Sequence, residues 1–181
     1  MGGGLKTKSL YAMNEIQKSL LKIIIHLSKV EEIDKHGDDL LYGFRNYVRR
    51  FSLAQDEYSI THNALEVIAN HDIKKPFRRC WKNQNGKKYK VKYDHAVPAK
   101  EVVKLILKNK NDEEEIKNIL LMTNIIVILT PDEDKKLSKK FRDSMPEAWN
   151  YRIDDPFARY VSLNIQIEKN AKIKMFGALV V

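Results

Sequence analysis

Residues 124–134 read Asn-Ile-Ile-Val-Ile-Leu-Thr-Pro-Asp-Glu-Asp. Asn124 to Leu129 is an apolar run rich in Ile and Val, short enough for a buried strand. Thr130-Pro131-Asp132-Glu133 then has the order of a helix start. Threonine serves as N-cap, proline suits the first turn, and glutamate stands where it returns a hydrogen bond to the cap. The spacing predicts a helix to about Lys140. A strand running straight into a helix, with helices gathered before it and strands after it, predicts an α+β chain.

Upstream, Leu10, Met13, Ile16, Leu20, Ile24 and Leu27 recur at helical spacing and predict one long amphipathic helix over Ser9 to Val30. A second helix follows over Asp38 to Leu53, after the stop signal His36-Gly37 and with Asp38 as N-cap. Ser59 or Thr61 can cap a short third helix carrying Ala64, Leu65, Val67 and Ile68. The first 72 residues are therefore expected to form a helical layer, residues 73–143 a core, and residues 144–181 C-terminal strands of one single domain.

The middle of the chain changes character. Nine Lys or Arg residues and no acid occupy Lys74 to Lys92, around the turn signal Asn85-Gly86. Lys87 to Tyr93 alternates lysine with apolar residues at the period of a half-buried strand, and Arg79 to Lys82 is its expected hairpin partner. Pro98 opens a helix from Ala99 to Lys108, and Asn111 or Asp112 caps another through Ile116, Ile119 and Leu120. Downstream, Asp155-Pro156 opens a short helix. Leu163 to Glu168 and Lys172 to Val180 are expected as a C-terminal hairpin turning at Asn170.

Composition bounds the partners. The 181 residues are 43% apolar and 31% charged, the balance of a folded domain, with a formal charge of +9. A positive field concentrates polyanions, so nucleic acid is the expected partner, DNA favoured. The single cysteine, Cys80, rules out an internal disulfide and paired-cysteine zinc sites, and suits a reducing, cytoplasmic setting. Leu20 to Leu27 is too short and too interrupted to span a membrane, so no membrane partner is expected. The N-terminal amphipathic helices offer a homodimer interface. Arg78, Arg79, Lys82, Lys87, Lys88, Lys90 and Lys92, interleaved with Trp81 and Tyr89, are candidates for phosphate contact and base stacking. They equally suit a solvated edge hairpin whose lysines discourage strand pairing.

The constellation that could carry chemistry is Tyr93-Asp94-His95-Ala96-Val97-Pro98 where the basic strand ends, with Asn124 and Thr130 to Asp134 downstream. Phosphodiester hydrolysis needs a general base near neutral pKa and, commonly, a divalent cation held by carboxylates. Adjacent residues on an extended segment face opposite sides, so Asp94 and His95 can serve different tasks.

These residues resemble the HNH, or ββα-metal, endonucleases. That family closes a strand with an Asp-His or His-His pair followed by a hydrophobic residue and proline, then has an Asn, a second strand and a helix bearing the last metal ligand. The likeness covers about residues 88–140. It implies a ββα-metal-like core with inserted helices, a metal-dependent DNA endonuclease activity of a restriction, mobile-element or phage-defence kind, and Mg²⁺ or Mn²⁺ as cofactor. By the same resemblance His95 is the general base, Asn124 orients it, and Asp94 and Asp134 are metal ligands, with Asp132 and Glu133 equally available as the last. The chain departs from the pattern in the two helices between Pro98 and Asn124 and in an aspartate where the family's last ligand is Asn or His. The residues also admit plain structural roles: Asp94 as a helix cap, Asn124 as a C-cap, and Asp132 to Asp134 as complements to a helix dipole. A non-catalytic nucleic-acid-binding module and a helical interaction protein are the alternative functions.

Overall fold

The computed structural model describes residues 13–30, 38–69, 81–82, 88–89, 91–174 and 179–180. In chain order the elements are α1 (Glu15–Ser28), α2 (Asp38–Leu53), β1 (Glu57–Thr61), α3 (His62–Ala69), β2 (Trp81–Lys82), β3 (Lys88–Tyr89) and β4 (Lys92–His95). There follow α4 (Ala99–Lys108), α5 (Glu113–Thr123), β5 (Ile126–Leu129), α6 (Pro131–Phe141), α7 (Ala158–Val161), β6 (Ile167–Lys174) and β7 (Leu179–Val180). The chain is α+β, with its main sheet ordered β4-β5-β1-β6-β7. β5 runs parallel to β1 and antiparallel to β4, and β6 is antiparallel to both β1 and β7.

Every residue of β5 is buried, as its unbroken apolar run predicts. Strand alternation sends Ile126 and Ile128 to one face, where they meet Tyr58 and Ile60 of β1 and Ala64 and Ile68 of α3. Val127 and Leu129 go to the other face, against Leu137 of α6, Tyr160 of α7 and Ile165. Each such aliphatic side chain contributes about 1.5–3 kcal/mol by leaving water. A third cluster is helical: Ile24 of α1, Phe44, Val48 and Phe51 of α2, Val102, Val103 and Ile106 of α4, and Ile116, Ile119 and Leu120 of α5. Packing of α2 against α4 brings the polar side of α2 to the end of β4.

Helix starts follow local chemistry. Asn14 and Gln17 form a capping box on α1, Asp112 accepts from the Glu115 N–H at 2.9 Å, and Thr130 and Glu133 form the capping box expected on α6. Glu133 does more than cap. Its buried carboxylate also accepts from Thr61 Oγ1 at 2.8 Å and Asn63 Nδ2 at 3.0 Å, tying α6 to the β1–α3 junction. Thr61 caps α3 through its hydroxyl, which accepts from the Ala64 N–H at 3.2 Å.

Three expectations need correction. The N-terminal layer is not wholly helical, because Glu57 to Thr61 forms β1 in the middle of the sheet. The alternation that buries Tyr58 and Ile60 competes there with the capping chemistry of Ser59 and Thr61, and two flanking strands let the alternation win. The basic strand expected over Lys87 to Tyr93 is two strands in two sheets: β3 pairs with β2, and β4 pairs with β5 across a break containing buried Val91. The turn expected at Asn170 is absent: β6 runs on through it as one strand, and Asn170 lies where the pairing with β1 shifts register, between Ser59–Lys172 and Thr61–Ile167. Backbone pairing with β1 overrides the turn propensity of one Asn, and the C-terminal hairpin is β6–β7. Leu163 and Asn164 instead leave α7 by a turn, with Asn164 at φ 54°.

Candidate functional site

β4 ends on Asp94 and His95, which lie opposite Val127 and Ile126 of β5. The Ala96 N–H continues the ladder by donating to Ile125 O at 2.9 Å. The two side chains then meet different surroundings.

Asp94 is held from behind. Its Oδ2 accepts from Arg159 Nη2 at 2.5 Å and from the Tyr160 hydroxyl at 2.7 Å. Arg159 is buried at 1% exposure, and the rest of its guanidinium is spent on three carbonyls: His95 O at 2.5 Å, Ala96 O at 3.1 Å and Phe141 O at 2.7 Å. One side chain thereby joins the end of β4, the end of α6 and α7, and a buried charge of this kind is stable only when so fully paired. Burial, then the Asp94 charge, pushes the Tyr160 hydroxyl well above its ordinary pKa, so it remains a donor.

His95 faces a small polar cleft of about 100 Å³, lined also by Arg45 and Arg49 of α2, Lys100 of α4, and Arg142 and Asp143 after α6. Burial is the main influence on the imidazole and holds its pKa below the ordinary value. The Asp94 charge and the Arg49 backbone oppose this, while the cations Arg49 and Arg159 reinforce it. His95 is therefore neutral near neutral pH. Its Nε2 is buried without a hydrogen-bond partner, as is Nε of Arg45. Leaving such a group unmet costs about 1–3 kcal/mol. The cleft carries four cations against two carboxylates, one of which, Asp94, is already matched by Arg159.

The other expected residues lie elsewhere. Asn124, expected to orient His95, follows α5 as its C-cap and lines a different cleft; neither its Oδ1 nor His95 Nε2 has a partner, so no hydrogen bond joins that oxygen to that nitrogen. Asp134 stands in the first turn of α6 and pairs with Lys92 Nζ. Asp94 and Asp134 come near one another around Tyr160, whose hydroxyl both carboxylates influence. They do not fit a divalent cation as they stand. Each is engaged by a cation of the protein, and among the described residues no group of three His, Cys, Asp or Glu side chains is placed to hold a metal. Asp132 is exposed on α6, and Glu133 is committed to the capping and bridging contacts above.

Of the basic hairpin, Lys82 and Lys88 are directly paired across β2 and β3, as are Trp81 and Tyr89. Arg78, Arg79, Lys87 and Lys90, with the Asn85-Gly86 turn and Cys80, lie outside the described residues. Sequence reasoning missed Arg45, Arg49, Lys100, Arg142 and Arg159. Arg45 and Arg49 stand four apart on one helix face, a signal present in the sequence; nothing in Phe157-Ala158-Arg159-Tyr160 marks its arginine as buried. Among the described residues no helix is long and apolar enough to cross a membrane. Compared with known proteins, the chain matches no family model, no curated protein and no solved structure.

Proposed function

We propose that this protein binds nucleic acid through its phosphates at the His95 cleft. The observation that carries this reading is the convergence of Arg45, Arg49, Lys100 and Arg142, drawn from α2, α4 and the end of α6, on one small polar cleft. Guanidinium groups match phosphate oxygens in paired hydrogen bonds, and a set of them fixes the register of a strand without reading its bases. The chain's excess of positive charge adds long-range steering toward the same partner. The test is fluorescence anisotropy with duplex DNA, single-stranded DNA and RNA across a range of salt, on the parent and on the Arg45→Glu, Arg49→Glu double variant. Salt-sensitive binding that the double variant loses supports the reading; binding that the double variant keeps overturns the cleft as its site.

A second reading, DNA hydrolysis, is favoured by His95. A neutral imidazole with an unpartnered Nε2 beside a phosphate-binding set is suited to take a proton from water as the water oxygen attacks phosphorus. The bond to the leaving sugar oxygen then breaks, and that oxygen takes up a proton. The antiparallel β4–β5 pair followed by α6 has the strand-strand-helix order of the resembled endonucleases. The carboxylates, however, are engaged as described, so no step is assigned to a metal. Plasmid incubated with Mg²⁺, Mn²⁺ or EDTA, beside His95→Ala, separates the readings. Nicking lost in the variant supports hydrolysis with His95 as base; binding without nicking under any condition leaves a binding module.

A further inference from the structure

The His95 cleft holds more positive charge than an internal phosphate of a strand can answer. Arg45, Arg49, Lys100 and Arg142 line it, and among the described residues none of the four is in an ion pair. Other cations of the surface are spent: Lys18, Lys29, Lys92, Lys104, Lys117 and Arg152 each pair with a carboxylate. Two carboxylates share the wall of the cleft. Asp94 is matched by Arg159, which does not line it, and Asp143 offsets one cation, so three positive charges stand unanswered. The start of α4 adds to the excess, because Pro98, Ala99 and Lys100 line the cleft and place the positive end of the helix dipole there.

Size narrows the ligand. At about 100 Å³ the cleft is far below the roughly 300–1,000 Å³ of sites that enclose a whole small molecule. It has room for a phosphate group and leaves sugar and base outside. An internal phosphodiester brings a single negative charge and is flanked by a sugar on either side. A terminal monoester brings about two charges near neutral pH and three acceptor oxygens, with a sugar on one side only.

We propose that the group this cleft takes is the terminal phosphate monoester of a nucleic-acid strand. The inference rests on the nucleic-acid reading above and names the part of the strand that enters. Arg45 and Arg49, one turn apart on α2, and Arg142, after α6, supply paired donors to the phosphate oxygens, and Lys100 adds a point charge.

The test is fluorescence anisotropy with one single-stranded oligonucleotide in three forms: 5′-phosphorylated, 3′-phosphorylated and without a terminal phosphate. The circular form of the same strand is the competitor. A terminal phosphate at one end or at both should tighten binding about tenfold, and the end that responds identifies which terminus enters. The circle should compete about tenfold less well than the phosphorylated linear strand. The Arg49→Gln, Arg142→Gln double variant should reduce the preference to within about twofold. Both arginines are exposed, so their replacement leaves the core intact, which an unchanged urea midpoint checks; Lys110→Gln should keep the preference. Equal affinity for the three forms, a circle that competes as well as the phosphorylated linear strand, or a preference that survives the double variant overturns the proposal. Equal affinity with salt-sensitive binding that Arg45→Glu, Arg49→Glu abolishes removes the terminal assignment alone. Absence of salt-sensitive binding to any form removes the nucleic-acid reading with it.

Discussion

Arg159 Nη2 lies 2.5 Å from Asp94 Oδ2, with the arginine side chain 2% exposed and the aspartate 26%. The pair joins α7 to the end of β4, and the same guanidinium meets the carbonyls of His95, Ala96 and Phe141. Arg159 joins the elements that build the site without itself lining the cleft.

Arg159→Met should therefore destabilise the protein by about 3–5 kcal/mol, because it leaves a carboxylate and three carbonyls short of a donor. Arg159→Lys should recover only part of the loss, since an ammonium cannot match the planar set of acceptors. Urea unfolding midpoints measure both. A change under about 1 kcal/mol in the Met variant would mean that water satisfies these groups and that the arginine is dispensable.

The two best-placed histidines respond to pH in opposite senses. His62 has its pKa raised, chiefly by the Glu168 hydrogen bond, so its stabilising contribution is full below the ordinary value of 6.5 and is lost as pH rises through the raised value. His95 has its pKa lowered by burial, so its contribution is present above 6.5 and is lost as pH falls through the lowered value. His62→Gln should remove stability on the acidic side of neutrality and leave alkaline stability unchanged. His95→Gln should flatten the acid limb. Urea midpoints across the pH range check both signs, and a shared direction of change would contradict the assignment.

Glu133→Ala should cost roughly 2–3 kcal/mol, from the loss of charge-assisted bonds that hold Thr61, Asn63 and Thr130 together. Glu133→Gln keeps the shape and part of the bonding, so it should cost less. Thermal unfolding monitored by circular dichroism gives the ranking. A Gln variant as unstable as the Ala variant would show that the charge, and not the bridging geometry, is what matters.

How far the sequence reaches is clearest around β5. Its apolar run and the Thr130 to Glu133 start are local signals, and each produces the expected element because nothing distant competes with it. β1 and β6 are different cases. Glu57 to Thr61 is too short to outweigh two capping residues by itself, and Asn170 looks like a turn until a partner strand supplies hydrogen bonds on either side of it. The site divides in the same way. His95 is legible as a histidine closing a strand, but Asp94 reads as a metal ligand because the arginine that pairs with it is 65 residues away. Charge density along the chain points to the hairpin, while Arg45, Arg49 and Arg142 reach His95 only through packing of α2 on α4 and the end of α6.

The salt dependence of binding tests that last displacement. Each cation that neutralises a phosphate releases condensed counterion, so removing one should reduce the slope of log affinity against log salt by about 0.9 in magnitude on duplex DNA, and about 0.7 on single strands. Arg49→Ala and Arg142→Ala remove cations that line the His95 cleft, and each should lower the slope by about one such increment. Lys110, exposed after α4 and outside that cleft, is the control, and its replacement by Ala should leave the slope nearly unchanged. Both arginine variants preserve the Arg159–Asp94 pair, so a reduced slope with unchanged unfolding midpoint reports phosphate binding at these side chains and not loss of fold. If instead the two arginine variants keep the parent slope while Lys82→Ala and Lys88→Ala lower it, the polyanion is bound along β2 and β3 and the His95 cleft is not its site.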